Sequence, residues 1–228
     1  MARKIIGLDY TGGDTPMDYR DMMFMKNIET QGEYHAKVSG DYGEYSISSV
    51  MRSLPDYYHI INDVLLPTKK GSTQIDHTIV SPFGIFIIET KNHKGMIFGD
   101  CYGKVWTQVL KGAGRHTFYS PVKQNQGHII NLAKSINVPL DCFTGMIVFT
   151  NEDVNLDNVS CPFCYRIQSL YDAILSYQNV IFNEKQVDKI IDRIDKVNKS
   201  GYKASKAHVE YVKGIKQQAE MRKLMRGY

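Results

Sequence analysis

The chain has 228 residues, 43% of them hydrophobic and 23% charged, with 28 Lys and Arg against 24 Asp and Glu. This is the composition of an ordinary globular protein, and it excludes a disordered chain, a collagen and a disulfide scaffold. The longest apolar stretch is far shorter than the ~18 residues of a membrane span, and the start lacks the apolar segment of a secretory signal, so we expect a cytosolic (cytoplasmic) protein with no membrane partner.

Positive charge is concentrated at the end of the sequence. Residues 202–228 carry seven Lys or Arg and two acidic residues, whereas residues 1–201 carry 21 basic and 22 acidic residues. A basic end suits a polyanion such as DNA, and Lys206, Lys213 and Lys216 are the predicted nucleic-acid contacts. One alternative is a solvated helix face or a frayed tail. Another is a helix that docks on the core, or assembles with a partner, through Val209, Val212 and Ile215.

The first predicted helix follows an irregular extension, residues 1–40, for which a short helix and a loose segment remain alternatives. From residue 41, apolar side chains recur at helical spacing as far as Leu54, and Pro55 ends the run. Glu44 lies on the inward edge of this stripe. Because an unpaired buried carboxylate is costly, Glu44 is expected to meet a cation or a metal.

The remaining pattern alternates strands and helices. Strands are predicted at 58–66, 74–81, 84–91, 95–98, 105–110, 143–150 and 164–168. Helices are predicted at 122–136 and 170–177. A further helix is predicted to follow an Asn183 cap, and a last one to begin at about Ser205. The order predicts a mixed β-sheet flanked by helices, of the α/β or α+β class.

The cysteines contain one CxxC pair, Cys161-Pro-Phe-Cys164. A zinc site needs a second pair or nearby histidines, and neither Cys101 nor Cys142 forms a pair. Two ordinary thiols near a strand end are therefore favoured over a metal site.

The hairpin at 74–91 gathers the residues with chemical potential. If Ser81 pairs with Gly84 across a two-residue turn, Asp76 lies opposite Glu89, and Lys91 shares the face of Glu89. Two carboxylates so close to each other need a proton or a cation between them, and Mg²⁺ or Mn²⁺ suits such oxygen ligands. A neighbouring lysine then has the right place to hold water for phosphodiester hydrolysis. The alternative is a salt-bridged patch, and a three-residue turn would shift the register.

These residues resemble the PD-(D/E)XK nuclease superfamily, and more closely its nuclease-related domain family, NERD. The resemblance covers about residues 41–150, with Ile75 and Ser120 departing from the family pattern. The blocks that carry it are Gly43-Glu44, residues 62–67, 71–77, 81–92, 94–99, 106–108 and 121–125, and His128.

The resemblance implies a role for each site residue. Asp76 and Glu89 would bind Mg²⁺ (or Mn²⁺) with the Thr90 backbone carbonyl. Lys91 would position the attacking water, and Glu44 would ligate or orient from the first helix.

The helix after Pro121 is expected to add polar groups to this site. The resemblance implies that Gln124 contacts the site or a phosphate, and His128 lies four residues later on nearly the same face. His77 is expected on the opposite strand face as a core histidine. His93 and His116 are expected in turns, exposed to solvent.

The predicted function is a metal-dependent nuclease that hydrolyses phosphodiester bonds of DNA. The alternative is a catalytically inactive nucleic-acid-binding or protein-interaction module that keeps the fold. A third class is a structural protein that assembles, as a homo-oligomer or with another protein, through its C-terminal helices. The predicted organisation is an extension at 1–40, a nuclease-like domain at 41–175 and a helical segment at 176–228, basic at its end.

Overall fold

The computed structural model describes residues 47–68 and 71–199, together with Gln217 and Met221. Its strands are β1 (His59–Thr68), β2 (Gly71–Ser81), β3 (Gly84–Lys91), β4 (Gly95–Asp100), β5 (Val105–Leu110), β6 (Gly114–Tyr119), β7 (Phe143–Phe149), β8 (Val154–Ser160) and β9 (Cys164–Arg166). Its helices are α1 (residues 47–52), α2 (Pro121–Ile136), α3 (Ile167–Leu175) and α4 (Glu184–Val197), with a 3₁₀ turn at Leu140–Cys142. The N-terminal extension lies outside the described residues, as does the final basic helix of the prediction apart from Gln217 and Met221, which are helical.

The larger sheet has five strands in the order β1-β2-β3-β7-β9. β1, β2 and β3 are antiparallel neighbours, and β7 runs parallel to β3, as β9 does to β7. Parallel neighbours cannot be joined by a tight turn and need a crossover connection. The connection from β3 to β7 contains α2, which packs on the sheet that these strands form. The predicted mixed α+β fold is confirmed.

Apolar side chains cover both faces of the five-stranded sheet. On one face, Ile85 and Ile87 pack with Leu132 of α2 and Ile190 of α4. On the other face, the alternate strand residues pack with α1 and α3. Burial on both faces explains why β3 is an almost continuous apolar run rather than an alternating one.

The helix ends are set by local sequence. Ser120 caps α2 by accepting a hydrogen bond from the Lys123 N–H, and Pro121 occupies the first turn, where its missing N–H costs nothing. Asn183 and Gln186 form a reciprocal capping box at the start of α4. The Ser120 cap fixes where α2 begins, and thus where Gln124 lies.

A second, four-stranded sheet has the order β6-β5-β4-β8, so the fold contains two sheets rather than the single one predicted. The prediction included β4 and β5 but neither β6 nor β8. Trp106 of β5 is fully buried in a cluster with Val122, Ile147 and Phe149, which joins this sheet to α2 and β7. None of the described helices has the length and apolar character that a membrane crossing requires.

Cys161 forms a disulfide with Cys101, which corrects the expectation that Cys161 and Cys164 are two ordinary thiols. Cys164 is a free thiol, and burial raises its pKa to about 12. Since the partner of Cys161 is 60 residues away in sequence, the local CxxC pattern could not reveal the pairing.

We expect Cys101→Ser to lower the free energy of unfolding by about 2–4 kcal/mol in oxidising buffer, because the bond restricts the unfolded chain. The matched control is Cys142→Ser, which removes a free thiol and is expected to cost about 1 kcal/mol or less. Chemical denaturation with and without reductant measures both. Four titratable thiols in the unreduced, denatured protein would contradict the pairing.

Candidate functional site

The hairpin of β2 and β3 has the predicted register. Ser81 pairs with Gly84 and His77 with Ile88, so the two-residue turn is confirmed. The paired ladder ends at His77, one residue before Asp76. Strand alternation in β3 puts Glu89 and Lys91 on the sheet face that α2 covers, the face of Ile85 and Ile87.

Asp76 is held by the residue that follows Glu89. The backbone N–H and the hydroxyl of Thr90 both donate to Asp76 Oδ2, at 2.9 and 2.8 Å. Asp76 Oδ1 takes no hydrogen bond among the described residues, and the side chain is half-buried. Two donors on one oxygen orient the carboxylate and leave the other oxygen for a ligand.

Asp63 is a third carboxylate of the site, and the sequence analysis missed it. The β1–β2 pairs on either side of Asp63 place it opposite Asp76. Gln74 Nε2 donates to Asp63 Oδ1 at 2.8 Å. Its φ of 55° is in the left-handed region, which non-glycine residues rarely adopt within a strand and which often marks functional sites. Burial raises the pKa of Asp63, and the Asp76 carboxylate adds to the rise, while the Gln74 hydrogen bond opposes it.

Glu89 is buried, with 2% of its surface exposed, and both of its oxygens have partners. Lys91 Nζ contacts Oε1, and His128 Nε2 lies 3.1 Å from Oε2. Lys91 Nζ also donates to Gln124 Oε1 at 3.3 Å. The ammonium group of Lys91 is therefore fixed from two sides, while 19% of its side chain remains exposed.

α2 is anchored to the sheet directly beside Gln124. Asn125 Nδ2 donates to the carbonyls of Ile87 and Met146, at 2.9 and 3.2 Å, and so bridges β3 and β7. The close approach needs Gly145, since a Cβ there would lie 3.2 Å from Asn125 Nδ2 and 3.1 Å from Ile129 Cδ1. This anchor sets the distance between Gln124 and Lys91.

His128 connects the site to β2. Its Nδ1 lies 2.9 Å from Thr73 Oγ1, and its Nε2 faces Glu89, so the buried imidazole positions the Glu89 carboxylate. In the sequence, the spacing of four residues between Gln124 and His128 indicated that both side chains lie on nearly the same face of the helix.

His128→Ala is expected to lower the free energy of unfolding by about 1–3 kcal/mol, because Glu89 then stays buried with one oxygen unpaired. His116→Ala is the matched control, since His116 is exposed and its loss is expected to change stability by no more than about 0.5 kcal/mol. Urea denaturation of both variants measures the difference. Equal stabilities would mean that His128 does not support Glu89.

The other histidines differ partly from expectation. His77 is buried and bonded to Asn62, as a core histidine should be, and burial lowers its pKa to about 4 against the opposing pull of Asp76. His93 is half-buried rather than exposed: its ring lies 4.4 Å from that of Phe118, and burial, then the charge of Lys91, lowers its pKa. His116 is exposed as expected, but in β6 rather than in a turn.

Four predicted contributors lie outside the described residues: Glu44, Lys206, Lys213 and Lys216. Among the residues that are described, no three His, Cys, Asp or Glu side chains form a group that could hold a metal ion by themselves. Asp63, Asp76 and Glu89 nevertheless supply hard carboxylate oxygens, the ligand type that Mg²⁺ and Mn²⁺ prefer. The donor chemistry therefore fits a hard divalent cation.

The arrangement combines the groups that phosphodiester hydrolysis requires. Half-buried Asp76 is bonded to Thr90, the residue between Glu89 and Lys91, and Lys91 supplies a fixed positive charge beside the buried Glu89. Gln124 uses its Oε1 to accept from Lys91, which leaves its amide N–H groups for another acceptor. Carboxylates for a cation, together with donors for negatively charged oxygens, suit a phosphate substrate.

Comparison with known proteins agrees with this geometry. The nuclease-related domain (NERD) matches residues 39–150, a span that includes Asp63, Asp76, Glu89, Lys91, Gln124 and His128. An uncharacterised protein of Bacillus anthracis is 30% identical over 182 residues, which cover 77% of this chain and 84% of that protein. No solved structure matches the chain. From the matched domain and the hairpin geometry within it, we conclude that the chain belongs to the nuclease-related domain family of the PD-(D/E)XK nuclease superfamily.

Proposed function

We propose that the protein is a metal-dependent nuclease that hydrolyses phosphodiester bonds of DNA. The observation that carries this proposal is the bonded set of Glu89, Lys91 and Gln124, with Asp76 bonded to Thr90 between Glu89 and Lys91. Lys91 and Asp76 are partly exposed, whereas Glu89 is buried beneath them. A substrate can therefore reach the Lys91 ammonium group and the Asp76 carboxylate, whereas the Glu89 carboxylate is shielded.

Asp76 and Glu89 would hold the divalent cation, with the Thr90 carbonyl, and Glu44 and the neighbouring Asp63 are further oxygen donors. Mg²⁺ or Mn²⁺ bound there would neutralise charge on the phosphate and make water more acidic. The contacts of Thr90 support cation binding by Asp76, because Thr90 bonds only one of the two Asp76 oxygens.

Lys91 would hold the attacking water and stabilise the negative charge that develops on the phosphate. Its contacts with Glu89 and Gln124 keep the ammonium group in place before substrate binds, so little reorganisation is needed during the reaction. The free amide N–H groups of Gln124 would donate to a phosphate oxygen, which agrees with the role implied by the resemblance.

The proposal is tested by incubating the full chain with labelled duplex DNA, single-stranded DNA and RNA in Mg²⁺, Mn²⁺ or EDTA. We expect cleavage of DNA with either cation and none in EDTA. Cleavage of RNA alone would assign the other nucleic acid to the same site. A wild-type chain that is inert with every divalent cation would favour the catalytically inactive binding module.

A further inference from the structure

β5, β6 and α2 lie in a basic stretch of the chain. Between Asp100 and Asp141 the sequence contains five Lys or Arg and no acidic residue, whereas residues 141–197 contain nine acidic and five basic residues. The almost balanced charge of residues 1–201 thus conceals a basic part and an acidic part. The five cations of the basic part are Lys104, Lys111, Arg115, Lys123 and Lys134.

The β5–β6 hairpin carries the most exposed of this charge. β6 is the outer strand of its sheet, and every residue of it except Phe118 is exposed. Lys111 lies in the turn, and Arg115 pairs with Val109 next to the turn. Among the described residues neither Lys111 nor Arg115 forms an ion pair, so both charges are available to a partner.

The hairpin contacts the chain segment that follows Lys91. The Phe118 ring packs against the His93 ring, with centroids 4.4 Å apart. Gln108 Nε2 donates to the Lys94 carbonyl at 2.7 Å, and exposed Lys94 begins the connection into β4. The hairpin is therefore held against the segment that connects Lys91 of the site to Lys94.

We propose that the β5–β6 hairpin, with Lys94, Lys111 and Arg115, binds the sugar–phosphate backbone of the nucleic acid that is cut beside Lys91. This inference rests on the proposed function and adds the surface that holds the substrate. Unpaired cations on an exposed hairpin match a polyanion, because phosphate contacts by Lys and Arg release counterions. The proposal also assigns nucleic-acid affinity to the folded domain rather than to the C-terminal lysines alone.

The test uses the full chain with Asp76→Asn as background, so that substrate is not consumed. Fluorescence anisotropy gives the affinity for a short labelled DNA duplex at several salt concentrations. We expect Lys111→Glu/Arg115→Glu to weaken binding at least about tenfold and to reduce the slope of log affinity against log salt by about 1.8, since each phosphate contact contributes about 0.9. The matched control is Lys185→Glu/Lys189→Glu, an equal charge change on exposed positions of α4.

The outcomes separate this inference from the proposed function. A hairpin variant with unchanged affinity and slope, in a protein whose wild type cuts the same duplex, overturns the hairpin surface alone. The hairpin surface is likewise overturned if the α4 control loses as much affinity, because net charge would then explain the loss. A wild-type chain that neither binds nor cuts DNA or RNA overturns both proposals. Selective loss of RNA binding supports the same surface with the other nucleic acid.

Discussion

Asp76→Asn, Glu89→Gln and Lys91→Ala are each expected to lower the rate of DNA cleavage at least ~100-fold. Loss of a cation ligand, or of the group that holds water, removes roughly 3 kcal/mol or more of transition-state stabilisation. Asp76→Asn is the sharpest of the three. The remaining amide oxygen still accepts from Thr90, so the hairpin is kept while the charge is lost.

The rate is measured with labelled DNA in Mg²⁺, and Mn²⁺ affinity is measured by calorimetry on the same proteins. Matched controls are Asp172→Asn and Lys134→Ala, which make the same chemical changes at exposed positions of α3 and α2. We expect both controls to cleave like the wild type. Equal activity in the wild type and in all three site variants would show that the site is wrongly assigned.

Gly99→Ala is expected to lower the free energy of unfolding by about 3 kcal/mol. A Cβ at this position would lie 2.1 Å from Trp106 Cδ2, far inside normal contact. Trp106 cannot easily yield, because it is fully buried and its Nε1–H donates to the Asp100 carbonyl at 3.0 Å. Overpacking of this kind distorts rotamers and backbone at a cost of about 1–3 kcal/mol, occasionally more.

Gly127→Ala is the matched control, since a Cβ there would meet nothing within 4 Å. Because Gly127 lies inside α2, its replacement is expected to stabilise the protein by up to about 1 kcal/mol. A double-mutant cycle with Trp106→Leu isolates the cause: Gly99→Ala should cost much less once the indole is removed. An unchanged cost in the cycle would locate the clash elsewhere.

The β2–β3 hairpin was predictable because its information is local. Pro82 and Phe83 form a two-residue turn, and the register then follows from counting along the strands. The α2 cap at Ser120 and the α4 capping box at Asn183 are local as well. Short-range patterns were therefore enough to predict the turn and register of the hairpin that carries Asp76, Glu89 and Lys91.

Asp63 could not be predicted in the same way. Its place opposite Asp76 depends on the β1–β2 register and on a left-handed backbone at one residue, and neither has a clear signal in the sequence. The Cys101–Cys161 bond and the β4–β8 pairing join residues far apart in the chain. β6 is mostly polar and exposed, so it lacks the apolar alternation by which strands are recognised.

β1 is an outer strand of the five-stranded sheet, but its middle is already occupied. Leu65 N–H donates to Asn198 Oδ1 at 3.0 Å, and the Leu65 carbonyl accepts from Lys199 N–H at 2.9 Å. Open sheet edges recruit strands from other molecules. A second copy of the chain could extend the sheet here only by displacing the residues that follow α4. Strand addition at Leu65 therefore competes with the hydrogen bonds from Asn198 and Lys199.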